Sequence, residues 1–483
     1  MRSVGEGAAT AGDGTGLAPI EYGNIARVSG PLLVVSGVTG VGWDCDAQIL
    51  LDVAGVVRHG VVLESQEELA ILQVLEGTDG IGPTGTRVVF GARPMQIPVG
   101  DGWLGRVCNG RGDPIDGGPP VTSTRFAEIN GAAMNPVSRE TPRDPIFTGI
   151  SAIDALTTLV RGQKLPIFSV GGLPHLELAA QIAAQARAGD DPFAVVFAGI
   201  GITHADAAAV QDTLEVRSAS GELALFLNTA DDPVIERIIT PRVALTVAEH
   251  LAFDTGRHVL VVMADMTAYC EAVRQVGAAR GEAPSRRGYP GYLFSDLASI
   301  YERCGRIRGV AGSVTEVPVL TMPGGDITHP VPDLTGYITE GQVVLGTERH
   351  ATGLYPPVEP LSSLSRLMRR GAGAGRTRED HLDVAAQLLA LLARAREIVE
   401  LSELLGDASL SETDRAHLEF AAAFDRRLVG QRSDESRSFA ETMDRAWEVL
   451  SILPRRQLTM LPLEQLDAHY GVGTSGPPAG GEQ

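Results

Sequence analysis

Leu165-Pro-Ile-Phe-Ser-Val-Gly-Gly-Leu-Pro-His-Leu176 decides how this chain is read. Leu165 to Val170 is an apolar β-type run, two glycines follow, and Leu176-Glu-Leu-Ala-Ala-Gln-Ile-Ala183 opens a helix. Strand, glycine turn and helix start are the parts of a loop whose backbone N–H groups and helix N-terminus receive a phosphate. Laid on the pattern GxxxxGK[ST], the window is Ser169 to Leu176, and the chemically required positions fail. Pro174 stands at the second glycine and has no N–H to offer. His175 stands at the lysine, shorter in reach and mostly neutral at pH 7. Leu176 stands where a hydroxyl would hold magnesium. Ser169, Gly171, Gly172, Pro174, His175 and Leu176 therefore read as a degenerate P-loop, unable to run ATP chemistry in the usual way.

No other group replaces what is missing. Lys164, the one lysine among 40 basic residues, precedes the strand and is expected at its opposite end. A carboxylate that orients attacking water is expected after the neighbouring strand, yet Phe193 to His204 contains none and Asp206 comes only afterwards. His258-Val-Leu-Val-Val-Met-Ala-Asp265 does resemble a Walker-B strand. Asp265 would bind magnesium in a working site; its plainer reading is a cap for the helix that follows. His175, His204 and His329 lack metal-ligand spacing, so capping or loop hydrogen bonds are expected and no metal site. Cys45, Cys108, Cys270 and Cys304 form no CxxC pair and read as buried free thiols in a reducing compartment.

Outward from the loop, residues 98–372 carry apolar runs at Leu165–Val170, Phe193–Ala198, Leu223–Asn228, His258–Met263 and Val317–Met322, with helical spacing between them. Continuous apolar strands separated by helices predict a parallel sheet covered on both faces, an α/β core. Residues 20–97 instead alternate short β-rich runs with glycine turns, which predicts a small closed β-barrel. Residues 373–466 predict a C-terminal helical bundle, with Leu382, Ala385, Leu389, Leu392 and Arg396 on one face and further helices at Asp414–Leu428 and Ser438–Leu450. The tails 1–19 and 467–483 read as disordered. The formal charge of −20 disfavours a nucleic-acid partner. No run of 18 apolar residues exists, so no direct membrane insertion is expected and any membrane link runs through partner chains.

Ser169 to Gln181 resembles the strand-to-helix loop of B subunits of V/A-type rotary ATPases and ATP synthases, whose usual form is SGSGLPHNELAAQ. Gly105-Arg-Val-Cys-Asn-Gly-Arg-Gly-Asp-Pro-Ile-Asp116, Asp232-Pro-Val-Ile-Glu-Arg-Ile-Ile-Thr-Pro-Arg242, Arg286-Arg-Gly-Tyr-Pro-Gly-Tyr292, Pro323-Gly-Gly-Asp-Ile-Thr-His-Pro330, Asp333-Leu-Thr-Gly-Tyr-Ile-Thr-Glu-Gly-Gln342 and Ser363-Leu-Ser-Arg-Leu-Met368 are similar too, so the resemblance spans roughly Glu21 to Leu461. The chain departs from the usual loop at Val170, Gly171 and Leu176, which makes the pocket less polar, and no tightly bound nucleotide is expected.

The resemblance implies a core of P-loop NTPase (RecA-like) type in a non-catalytic subunit, no enzyme by itself. Three copies would alternate with three catalytic A subunits around a central-stalk rotor, with peripheral-stalk subunits outside. ATP or ADP with magnesium would sit at the shared A/B interface. The complex would be cytoplasmic and peripheral to the plasma membrane, coupling ATP synthesis or hydrolysis to proton or sodium transport. It also implies that Arg366 reaches the partner's γ-phosphate, a task suited to a planar, permanently charged guanidinium. Without the resemblance, Arg366 is an ordinary surface arginine. Arg286, Arg287, Tyr289 and Tyr292 form a loop that either holds its own structure or presents cations and rings to a neighbour. The alternatives are a catalytically active rotary or export ATPase with a diverged P-loop, which lacks its lysine and hydroxyl here, and a Rho-type RNA translocase, which the acidic balance opposes.

Overall fold

The computed structural model describes residues 20–52, 55–405 and 410–471. The tail 1–19 and the end of the chain beyond 471 lie outside them. The second tail cannot begin at 467, however: Asp467 to His469 belong to a helix, and the Tyr470 hydroxyl donates to Leu453 O at 3.1 Å. The described residues divide into two compact units, one up to Gln96 and one from Ile97.

The first unit is one antiparallel sheet. Its strands are β1 (Glu21–Tyr22), β2 (Ile25–Ser29), β3 (Leu32–Ser36), β4 (Cys45–Leu51), β5 (Val56–Gln66), β6 (Leu69–Val74) and β7 (Thr86–Pro94), in the order β1-β7-β4-β5-β6-β3-β2. Strict alternation along β4 buries Cys45, Ala47, Ile49 and Leu51 on one face. They join Leu33, Val35, Leu72 and Val88 in one core cluster. The two edge strands, β1 and β2, are consecutive in the chain. Only Gly23-Asn24 separates them, and Asn24 O accepts the Ser36 amide at 2.9 Å. Among the described residues no β1–β2 ladder joins the two edges.

The second unit is built on a ten-stranded sheet. Its main path uses β8 (Val107–Asn109), β9 (Ile167–Ser169), β10 (Phe193–Ile202), β11 (Leu223–Thr229), β12 (His258–Ala264), β13 (Ser313–Thr321), β14 (Gly341–Val344) and β15 (Leu364–Ser365). The order is β15-β14-β9-β13-β12-β10-β11-β8, parallel throughout except for the antiparallel edge strand β15. Every residue of β12 is buried, as a strand covered on both faces requires. The covering helices include α1 (His175–Gln185), α2 (His204–Ala219), α3 (Val234–Glu249), α4 (Met266–Ala279), α5 (Leu293–Tyr301) and α6 (Pro330–Ile338). One sequence expectation is corrected. β10 is not the neighbour of β9, because β13 and β12 lie between them. Strand order follows helix crossovers, which local composition does not record.

Helices α7 (His381–Leu405), α8 (Glu412–Ala423), α9 (Phe439–Leu450) and α10 (Leu463–His469) form the C-terminal region. The buried stripe of α7 is Val384, Ala385, Leu388, Leu391, Leu392, Ala395 and Ile398. It is rotated from the expected face: Leu382 and Leu389 are only half-buried, and Arg396 is exposed and pairs with Glu400 at 3.2 Å. An apolar run this dense offers two stripes of equal period, and packing against α8 and α9 selects one. Met443, Trp447 and Leu450 are buried as expected, and the Trp447 indole donates to Asp380 Oδ2 at 2.6 Å. All four cysteines are buried and free. No helix among the described residues is long and apolar enough to cross a membrane.

Candidate functional site

In an open parallel sheet, ligands gather at the carboxyl ends of the strands. The degenerate loop is there, running from Ser169 at the end of β9 into α1. Gly172 adopts φ +91°, which suits a residue without Cβ, and both Gly171 and Gly172 face open space. Beyond them the loop closes on itself. The His175 amide donates to Leu173 O at 2.8 Å, and its imidazole Nδ1 lies 2.9 Å from the same carbonyl and 3.2 Å from Ser169 Oγ. His175 is thereby a loop-tying residue. Pro174 is the N-cap of α1 and contributes no capping side chain, while Glu177 puts an acid in the first turn. That carboxylate opposes an anion where the helix dipole would favour one.

Asp265 follows β12 and is engaged on both oxygens. The Thr267 amide donates to Oδ1 at 2.7 Å, which is helix capping, and the Thr321 hydroxyl donates to Oδ2 at 2.8 Å. Thr267 Oγ1 donates to Thr321 O and accepts the Thr321 amide, so the three residues close a network. Burial raises the Asp265 pKa, against these hydrogen bonds and the nearby His175. To a magnesium–nucleotide pair these residues offer a proline without an amide N–H, a leucine in place of a hydroxyl, and an aspartate whose two oxygens are already bonded. At the end of β10, Thr203 caps α2 and bonds Asp206, while His204 Nε2 meets Asp231 Oδ1 at 2.9 Å.

The opposite end of the sheet holds a different constellation. Lys164 precedes β9 and is 2 % exposed. Its Nζ lies 2.9 Å from Glu302 Oε1 and 3.1 Å from Glu340 Oε1. Burial alone would depress its pKa, but Glu340 and Glu302 outweigh that and raise it. Beside it, Glu316 is fully buried and neither of its carboxyl oxygens has a hydrogen-bond partner. Burial drives its pKa well above the carboxylate range despite Lys164 and Arg303. Arg366 sits at this end too. Its amide donates to Glu340 O at 3.0 Å, and its Nη1 reaches Thr339 O at 3.4 Å. The guanidinium belongs to an exposed residue and has no carboxylate partner among the described residues. Five strand positions of about 3.3 Å each put the Lys164 level roughly 16 Å from Ser169. Arg366 and the chain's own degenerate loop are therefore not brought together.

The loop at 286–292 is held from within. Arg286 pairs with Asp333 at 2.8 Å and Arg287 with Asp326 at 2.6 Å. Tyr289 does not present its ring outward: it is 3 % exposed, packs edge-on against His329 with centroids 5.6 Å apart, and donates its hydroxyl to Glu271. Burial and Glu282 push the Tyr292 phenol up to about 12, and this ring, with Phe294, keeps an exposed surface. His329 caps α6 through its Nδ1. Sequence reasoning missed Thr321 and the residues around Arg366, namely Gln163, Glu340 and Ser365. The lone lysine next to Gln163 was the available signal.

Comparison with known proteins covers the chain in three consecutive pieces. Residues 25–91 match the ATP synthase alpha/beta family, beta-barrel domain; residues 149–365 match the nucleotide-binding domain of the same family; residues 370–470 match the C-terminal domain of V and A type ATP synthase. The B subunit of the A-type ATP synthase of Aeropyrum pernix is 53% identical over 452 residues, which cover 93% of this chain and 97% of that protein. A V-type ATP synthase beta chain of Halothermothrix orenii is 52% identical over the same coverage. Among solved structures, the ATP synthase subunit NeqB from Nanoarcheaum equitans superposes with a TM-score of 0.69 at 36% identity, covering 88% of this chain and 100% of that one.

Proposed function

Since the chain belongs to the ATP synthase alpha/beta family, among the B subunits of the V and A types, we propose that it runs no hydrolysis of its own and completes the sites of a catalytic partner. In this reading it alternates with catalytic A subunits in a hexamer of three and three, around a central rotor and beside peripheral-stalk subunits. ATP or ADP with magnesium occupies the A/B interface, and the degenerate loop holds no nucleotide tightly. The complex is cytoplasmic and reaches the plasma membrane through other subunits. Arg366 supplies positive charge to the phosphoryl group that the partner transfers. The observation that carries the proposal is the placement of Arg366: an exposed guanidinium without a carboxylate partner among the described residues, at the end of the sheet away from its own loop. A cation so placed serves another chain's site better than this one's.

The test is steady-state ATP hydrolysis by the purified chain, alone and mixed with its cognate catalytic subunit. Silence alone and turnover on mixing are expected. Arg366→Ala in an assembled complex should lower kcat by about 10³–10⁵-fold, the range of transferring arginine fingers. Hydrolysis by the chain alone, or normal turnover of the Arg366→Ala complex, would overturn the reading.

A further inference from the structure

Gln163 is fully buried and every polar atom of its side chain is used. Its Oε1 accepts the Val160 amide at 2.9 Å. Its Nε2 donates to Glu340 O at 3.1 Å and to Ser365 Oγ at 2.9 Å. Glu340 O is the carbonyl that accepts the Arg366 amide, and Ser365 is the residue just before Arg366. The Ser365 hydroxyl donates onward to Thr158 O at 3.1 Å. Glu340 is gripped at its other polar atoms by Lys164: its amide donates to Lys164 O at 3.0 Å, its Oε2 accepts the Lys164 amide at 2.9 Å, and its Oε1 meets Lys164 Nζ at 3.1 Å. The strand just before Arg366 is also pressed close: a Cβ on Gly341 would stand 2.3 Å from Leu364 O, so only glycine admits β15 at that distance.

We propose that Gln163, with Ser365 and the Lys164–Glu340 pair, forms a clamp that positions Arg366 for its work on the neighbouring chain. The clamp rests on the trans role of Arg366 proposed above. An exposed arginine just after a two-residue edge strand has little of its own to fix its backbone, and its side chain is long. The clamp ties that backbone to Gln163 and Lys164, buried residues just ahead of β9. It thereby spends ordering entropy in the folded chain before any phosphoryl group arrives. Misplacement of a contributing group by about 1 Å costs on the order of 100-fold in rate.

The experiment uses the complex assembled with the catalytic subunit and compares wild type, Gln163→Met, Ser365→Ala and Arg366→Ala, and each clamp variant combined with Arg366→Ala. Ser365→Ala carries the decision where Gln163→Met fails to assemble, because it removes one half-buried hydroxyl and no core volume. Expected are kcat losses of about 10- to 100-fold for Gln163→Met and about 3- to 10-fold for Ser365→Ala, with KM for ATP within about twofold. On the Arg366→Ala background neither substitution should lower the residual turnover further, because groups that act through one residue are not additive. Wild-type kcat in Ser365→Ala, or equal fold losses with and without Arg366, would overturn the clamp while leaving the trans role standing. Normal turnover of Arg366→Ala alone would instead bring down the trans role, and the clamp with it.

Discussion

His258 opens the central strand β12 with both ring nitrogens engaged: Nδ1 lies 2.8 Å from Ser313 Oγ, and Nε2 lies 3.0 Å from an Arg161 nitrogen that can only donate. Nε2 is therefore the acceptor and the ring is neutral. Burial, then Arg161 and Arg306, lower its pKa to about 4, against Asp191 and Asp144. The unfolded chain binds the proton first, so the stability His258 contributes is present above pH 6.5 and is lost as pH falls towards 4. Against a His258→Gln variant, the wild type should lose about 1–3 kcal/mol between pH 7 and pH 4.5, read from denaturant unfolding of the α/β unit at each pH. Parallel slopes for the two proteins would refute the assignment. At this scale the sequence was legible for what is missing and mute about what is joined. Pro174, His175 and Leu176 depart from a P-loop's glycine, lysine and hydroxyl by their own identity, wherever the chain puts them. The closure of Asp265 depends on Thr321, and the setting of Arg366 on Gln163, partners that only the sheet brings near.

Elements were legible in proportion to their length and purity. Seven-residue apolar runs such as His258–Ala264 announce a buried parallel strand, whereas Gly341-Gln-Val-Val344 is short, half polar and opened by glycine, so the strand next to β9 went unread. The helices of the C-terminal region carry their own start signals. At α8, the Ser411 hydroxyl accepts the Asp414 amide at 3.1 Å, and Asp414 Oδ2 accepts the Ser411 amide at 3.1 Å, a reciprocal capping box. Ser411 is exposed and Asp414 half-buried, so the box acts on the helix terminus with little effect on packing. Ser411→Ala should cost about 1 kcal/mol. Hydrogen exchange should register it as faster exchange in the first turn of α8, with the amides of α9 unchanged. Equal protection in both proteins would mean that packing of Phe420 and Phe424, not the cap, sets this helix start.

At the scale of the whole chain, each of its parts has a different reason to be folded. The α/β unit carries the sheet whose two ends hold the degenerate loop and Arg366, and the helical region shares its apolar cluster: Val384, Leu388, Met443 and Trp447 are counted with Ile153 and Ile182 in one continuous core. Those two regions are thus one body energetically, although the sequence reads them as two. The N-terminal sheet is otherwise. Most of its buried apolar residues, from Ile25 to Val88 but without Leu63 and Leu75, form a cluster that has no member beyond Gln96 among the described residues. Seven strands with one filled face exceed what an isolated hairpin needs for independent stability. A fragment of residues 20–96 should therefore fold alone, with a cooperative urea transition and a stability of about 3–5 kcal/mol, the usual ceiling for a core of that size. The complementary cut would divide a core if placed between the α/β and helical regions, so a chain ending near residue 372 should expose the Leu388-facing surface and aggregate. Circular dichroism and urea titration of the two truncations distinguish these cases. A fragment 20–96 without a cooperative transition would mean that its sheet draws stability from outside its own cluster, and the division of the chain into an autonomous β unit and a single fused α/β-helical body would have to be abandoned.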